Sequence, residues 1–213
     1  MKKRVIAYID GFNLFYSSLK GTKNKWLDLW SMCSSLLKED QELIEIKYFT
    51  ARVKTFTDET RRLNQNTYLS ALLDNPKIKI TFGFFTLHNI KLPLTKPMRE
   101  ENRLELAEVL KTEEKGSDVN LAVSLLSDAY QNKFDYAMLF SNDSDMAMSV
   151  EIAKNICNKK VGLYIDKKAN TFDVLKKNTT VVFKLEKSFF ARHQFPDSIK
   201  LSTGKIITKP ASW

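Results

Sequence analysis

Short apolar runs, each followed by a stretch with helical spacing, constrain this chain more than any other feature. RVIAYID (4–10) is nearly continuous in apolar residues, as a strand covered on both faces must be. LDLWSMCSSLLKED (27–40) then places apolar residues at helical intervals, and ELIEIKYFTARV (42–53) returns to β-branched and aromatic residues. ETRRLNQNTYLSALLDN (59–75) is a helix ending at an Asn-Pro stop, and KIKITFGFFTL (77–87) is a third strand. An irregular segment from His88 to Met98 holds Pro93 and Pro97. Beyond it, helix 118–132, strand 134–143, helix 146–158 and strand 159–166 resume the alternation. Such spacing predicts βαβ units: a three-layer α/β/α fold around a mainly parallel sheet of about five strands. No linker rich in Gly or Ser interrupts it. The expected organisation is therefore a domain over 1–177 and a basic, aromatic extension over 178–213 packed on the same body.

Charge is unevenly placed. Residues 1–153 carry 21 Lys/Arg against 21 Asp/Glu, and residues 154–213 carry 13 against 4, so the net +9 belongs to the last part of the chain. That field suits a polyanion, and suits equally a solvated, solubilising face. The N-terminal apolar run is short and broken by Asp10, unlike a signal peptide, and no stretch nears the ~20 apolar residues of a membrane span. Cys33 and Cys157 lie far apart in apolar or helical patterns, as reduced core residues of a cytoplasmic protein would.

The chemistry concentrates in acids. Asp10 ends the first strand, Asp143 and Asp145 follow the fourth, and Asp118 opens the helix leading into it. In an open α/β sheet, ligands bind at the carboxyl ends of strands where the strand order reverses. If strands one and four are neighbours, these carboxylates share a crevice and raise one another's pKa. A hard divalent ion, Mg²⁺ or Mn²⁺, would offset that repulsion, and all-oxygen donors suit it better than zinc. His88 and His193, far apart and away from the acids, are expected to be structural or superficial. Each acid also has a plainer reading, since Asp after a strand often caps the next helix; Asp118 and Asp145 fit either role alone. Asp10, followed by Gly11, is harder to explain as a cap.

YIDGFNLFYSSLKG, KTEEKGSDVNLAVSLLSDAY and FDYAMLFSNDSDM resemble the motifs of the NYN domain family, a branch of the PIN-like nucleases. WLDLW, IKYFTARVK, YLSALL and QFPDSIKLSTGKIITKPASW extend the resemblance to bacterial single-domain NYN proteins over nearly the whole chain. The resemblance implies a PIN-like sheet, a metal site of Asp10, Asp118, Asp143 and Asp145, and metal-dependent ribonuclease activity. Asn13 matches the D-G-x-N motif and would bond a site carboxylate or a water. Ser141 matches the serine opening S-G-D-S-D-F. Asn142 replaces the Gly there, tolerable because Asn adopts positive φ more readily than most residues; Met146 keeps an aromatic position apolar. Ser124 stands where many relatives carry another acid.

RNA is the expected partner. Arg52, Lys54, Arg61 and Arg62, with Arg192, Lys205 and Lys209 of the tail, are candidate phosphate contacts. Lys115 would steady a phosphate, or else relieve repulsion between Glu113 and Glu114. Phe189, Phe190 and Phe195 would stack on bases or fill core, and Trp213 would pin the C-terminus. Homo-oligomerisation is left open. A metal-dependent RNase leads. The alternatives are an RNA- or protein-binding module without turnover, and an Asp-nucleophile phosphatase. The last is disfavoured because Asp10 lacks a second acid two residues on.

Overall fold

A computed structural model describes residues 1–53, 59–94, 106–169 and 173–213. Strand β1 (Lys3–Asp10) leads into helix α1 (Gly11–Leu14), which runs on as one π-type turn, Phe15–Leu19. Helix α2 (Leu29–Ser34), strand β2 (Gln41–Ala51), helix α3 (Glu59–Leu73) and the long strand β3 (Ile78–Pro93) follow. Strand β4 (Leu106–Lys115), helix α4 (Ser117–Tyr130), strand β5 (Tyr136–Phe140), a 3₁₀ turn (Ser144–Met146) and helix α5 (Ala147–Asn155) complete the site-bearing part. The chain ends with strand β6 (Lys160–Asp166), helix α6 (Asp173–Asn178), strand β7 (Val181–Leu185), helix α7 (Lys187–Ala191) and a small hairpin of β8 (Ser198–Lys200) and β9 (Ile206–Thr208).

The sheet has seven strands in the order β4-β3-β2-β1-β5-β6-β7. All neighbours are parallel except β3 and β4. Successive strands step one way from β1 to β3 and the other way from β5 to β7, so the order reverses between β1 and β5. The expected neighbourhood of the first strand and the one before the Asp pair is therefore present. The two strands beyond the expected five have physical reasons for being missed. β4 (LAEVLKTEEK) is half charged and its pairing with the far half of β3 leaves it largely exposed, so it lacks a buried-strand signature. β7 (VVFKL) is short, on the sheet edge, and lies inside the segment read as an extension.

Alternation on β1 splits its side chains between two cores. Val5, Ala7 and Ile9 join Trp26, Leu29, Met32, Tyr68, Leu72 and Phe190 on one face. Ile6 and Tyr8 join Leu121 and Leu125 of α4, Val150 of α5 and Leu175 of α6 on the other. Covering both faces explains why the strand carries no polar alternation. Cys33 and Cys157 are free thiols, Cys33 buried. Among the described residues no helix is long and apolar enough to cross a membrane.

Candidate metal centre

At the reversal point, β1 delivers Asp10 to the carboxyl edge of the sheet, where it is only 5% exposed. The sharp entry into α1 depends on Gly11. A Cβ there would lie 2.5 Å from the Tyr48 ring and 2.9 Å from the Phe49 carbonyl oxygen. One Asp10 oxygen, Oδ1, accepts from the Asn13 main-chain N–H at 2.9 Å, which caps α1. The other, Oδ2, faces the Ser141 hydroxyl at 3.4 Å. Ser141 Oγ in turn accepts from the Asp143 N–H at 3.2 Å. Asn13 Oδ1 accepts from the Asn142 N–H at 3.2 Å, tying the loop after β1 to the loop after β5. The Asn13 side chain thus holds a loop amide, and it is its main chain that bonds the carboxylate.

Among the described residues, positive φ outside glycine occurs only at Asn132 and Asn158, so Asn142 does not use the conformation that would have excused it in place of Gly. Met146 is buried, as its apolar character requires.

Capping sorts the other acids. Asp143 Oδ1 accepts from the Asp145 N–H at 2.9 Å, so Asp143 caps the 3₁₀ turn and Asp145 is the residue it caps. Helix α4 begins after Gly116, whose φ of 96° is left-handed. Glu114 takes the free Ser117 N–H and its hydroxyl, at 3.3 and 2.8 Å, which leaves Asp118 in the first turn without that duty.

Electrostatics link these segments. Burial pushes the Asp10 carboxyl up to about 6, opposed by the N–H groups of Asn13 and Phe12 and reinforced by the charges of Asp118 and Asp143. Asp118 is also raised, by burial first and then by Asp143, Glu114 and Asp145. Asp118 and Asp143 thus act on Asp10, and Asp143 and Asp145 act on Asp118. Among the described residues, however, no group of three or more Asp, Glu, His or Cys side chains is arranged to hold a metal ion. These observations are compatible for Mg²⁺, which is usually bound through one or two carboxylates, waters and substrate phosphates, with no closed protein cage. The donor set, hard oxygens with excess negative charge, fits such an ion.

The basic candidates disperse. Arg52 follows β2 on the site's edge of the sheet; its guanidinium lies 4.7 Å from the Phe82 ring centroid and donates to Asn66 at 2.8 Å. Arg62 pairs with Glu59 at 2.6 Å on the exposed first turn of α3, where Arg61 is also exposed. Lys54 lies outside the described residues. Lys115 pairs with Glu113 at 2.8 Å, and with Lys111 it holds that carboxyl down at about 2. His193 bonds Ser31 and Ser35, and His88 is exposed on β3. In the tail, Phe190 is buried and Phe189 and Phe195 pack against the same core, so they fill space. Ser124 accepts from Lys47, which also bonds buried Asp128, so a lysine-centred network stands where a further acid was considered.

A further acid, outside the expected set, reaches this edge. Asp166 ends β6 at the same edge and is 3% exposed. The chain repeats Tyr-Ile-Asp at 8–10 and 164–166, and that repeat at two strand ends was the available signal.

The model of the NYN domain matches residues 4–186, from the second residue of β1 to just past β7. The chain belongs to the NYN domain family. As an NYN domain it has the PIN-like three-layer fold, here with seven strands. It is 29% identical over 201 residues to 6-hydroxy-3-succinoylpyridine 3-monooxygenase HspA of Pseudomonas putida; the match covers 81% of this chain and 64% of that protein. The chain thus spans less than two thirds of that relative's length. A solved structure of a Vibrio parahaemolyticus protein of unknown function is similar in fold, with a TM-score of 0.52 and 14% identity. That match covers 86% of this chain and 93% of the other.

Proposed function

We propose that this NYN domain is a metal-dependent ribonuclease that hydrolyses RNA phosphodiester bonds at the crevice of Asp10, Asp118, Asp143 and Asp145. The observation that carries this reading is a buried Asp10 whose carboxyl is raised by burial and by the charges of two acids from distant segments. Such a cluster raises the free energy of the fold unless positive charge enters it. One or two carboxylates among Asp10, Asp118, Asp143 and Asp145 would hold Mg²⁺ or Mn²⁺ together with waters and the RNA phosphate, and the ion would supply charge neutralisation for that phosphate and activation of a water.

The chain's own residues do the positioning. Ser141 and the Asn13 N–H fix the Asp10 carboxylate, and Asn13 with Asn142 locks the two loops so that the acids keep their places. Arg52, on the same edge, would receive the phosphate backbone of the RNA.

The relative's name supports a second reading, oxygenation of an aromatic ring. The charges that act on Asp10 and Asp118 suit a cation and a phosphate, which favours the first reading.

The test is incubation of the full chain with labelled RNA in Mg²⁺, Mn²⁺ or EDTA. Cleavage should require the metal, and Asp143→Asn, which can keep the cap to Asp145, should lower it by about a hundredfold or more, the scale of losing charge stabilisation of a transition state. RNA binding without metal-dependent cleavage would instead make this a binding module. Consumption of 6-hydroxy-3-succinoylpyridine with dioxygen and a reductant would favour the oxygenase.

A further inference from the structure

We propose that the amino-terminal edge of the sheet holds a second binding site, for a small anion carried on a single planar ring. A hollow of about 240 Å³ opens there, with Lys3, Lys38, Asp40, Tyr136, Lys160 and Phe183 among its walls. Lys3, Tyr136 and Lys160 are the first residues of β1, β5 and β6, which run parallel toward the edge that carries Asp10. β1 spans 8 residues, so Asp10 lies roughly 23 Å from Lys3. An occupant of the hollow is therefore out of reach of the acids, and the inference does not depend on the nuclease reading.

The ring is called for by the aromatic side of the hollow. Phe140, Tyr164 and Phe183 form a row of stacked rings across β5, β6 and β7, with centroids 5.0 and 4.7 Å apart and planes tilted by 21° and 14°. Phe183 ends the row and lines the hollow. The Tyr136 ring lies across Gly162, where a Cβ would meet its hydroxyl oxygen at 1.8 Å, so the absence of a side chain on β6 is what gives the hollow this second aromatic wall. A dry cavity of roughly 150 Å³ takes benzene. The hollow, at about 240 Å³, has room for one ring with an acidic substituent.

The sign of the ligand's charge follows from the lysines. Asp40 is the acid among the lining residues, and its carboxylate is taken by Lys3 at 2.5 Å. Lys38 and Lys160 have no ion pair among the described residues, so the hollow keeps two uncompensated ammonium groups. Thr180, also in its wall, accepts from the Val161 N–H at 3.1 Å, and its own hydroxyl hydrogen has no acceptor among the described residues. Cations and a spare donor beside aromatic rings suit an aromatic anion and repel a cation. Lysine is a point charge without the guanidinium's fork, so it takes a carboxylate or a phosphate alike.

The experiment is calorimetric titration of the full chain in EDTA, which keeps metal from carrying an anion to the acids. Uridine 5′-monophosphate and benzoate, each a ring with a charge, are compared with uridine, a ring without one, and inorganic phosphate, a charge without a ring. At least one of the first two should bind about tenfold more tightly than either of the last two, the scale of a ring contact added to ion pairing. Whichever leads tells a phosphate-bearing ligand from a carboxylate-bearing one. Lys38→Gln with Lys160→Gln should weaken that ligand about tenfold, roughly threefold for each charge removed, and Phe183→Leu should weaken it about fivefold. Arg52→Gln, at the other edge, should leave it within about twofold. The inference is overturned if neither ring-bearing anion outbinds uridine and phosphate, if the affinity survives the double lysine change, or if Arg52→Gln removes it. Both lysines are exposed, so their replacement keeps the fold and the test holds even where Phe183→Leu does not fold. Metal-dependent RNA cleavage without this binding sinks the site and spares the nuclease, and the converse result does the reverse.

Discussion

Asp10 serves two ends that conflict over its proton. Its Oδ1 caps α1 through the Asn13 N–H, which favours the charged form, while burial and the charges of Asp118 and Asp143 favour the neutral one. Burial prevails, and the carboxyl titrates near about 6, above its ordinary value of 3.8. Between those two pH values the folded chain holds more proton at this group than the unfolded chain does, so stability falls as pH rises through the window. The loss is complete above the folded value and reaches on the order of 3 kcal/mol as an upper figure. Asp10→Asn removes the ionisation and keeps an oxygen for the cap. Without metal, the variant should melt higher than the parent at pH 7–8, and the difference should vanish near pH 4. Thermal melts of both across that range check it. Added Mg²⁺ should raise the parent's midpoint more than the variant's. A variant that melts far lower at every pH would make Asp10 a structural cap alone.

At the scale of elements, the turn from β1 into α1 is where sequence and geometry meet most tightly. Asp10 reaches the crevice only because Gly11 lets the chain pass under Tyr48 and Phe49. Gly11→Ala places a methyl 2.5 Å from the Tyr48 ring, against a residue that is itself buried. Overpacking of this kind costs about 1–3 kcal/mol. The midpoint should fall accordingly, and cleavage should fall further than stability explains, because the displaced backbone carries the carboxylate. Urea unfolding with parallel assays separates the two effects.

The same turn shows what could be read beforehand. A continuous apolar run announces a buried strand, which made β1, β5 and β6 legible, and at β1 the closing Asp-Gly also announces a tight exit. β4 was not, because its alternating charges satisfy solvent on an exposed hairpin. The acids were legible by position at strand ends, yet their division of labour was not. That Glu114 caps α4 and frees Asp118 depends on a left-handed Gly116, which only the folded backbone reveals.

Over the whole molecule, the last residues are part of the core, although the family match stops at residue 186. Phe190 is buried, and Phe195 and Trp213 pack edgewise on Trp26, with ring centroids 5.7 and 6.3 Å away. Trp213 also meets Tyr68 at 5.6 Å. The Trp26 indole N–H donates to the Pro196 carbonyl at 2.8 Å, and the Asp28 N–H donates to the His193 carbonyl at 2.8 Å. Burying a large apolar side chain is worth about 1.5–3 kcal/mol, against a typical net stability of about 5–15 kcal/mol. Removing residues 187–213 deletes several such side chains at once and strands the Trp26 donor. A chain ending at Glu186 should therefore show no cooperative thermal transition by circular dichroism. Trp213→Ala, which removes one half-buried ring, should keep the transition and lose about 1–3 kcal/mol. If the shortened chain melted cooperatively at the parent's temperature, the tail would be an appendage, and its basic residues would be free to follow RNA instead of being positioned by this core.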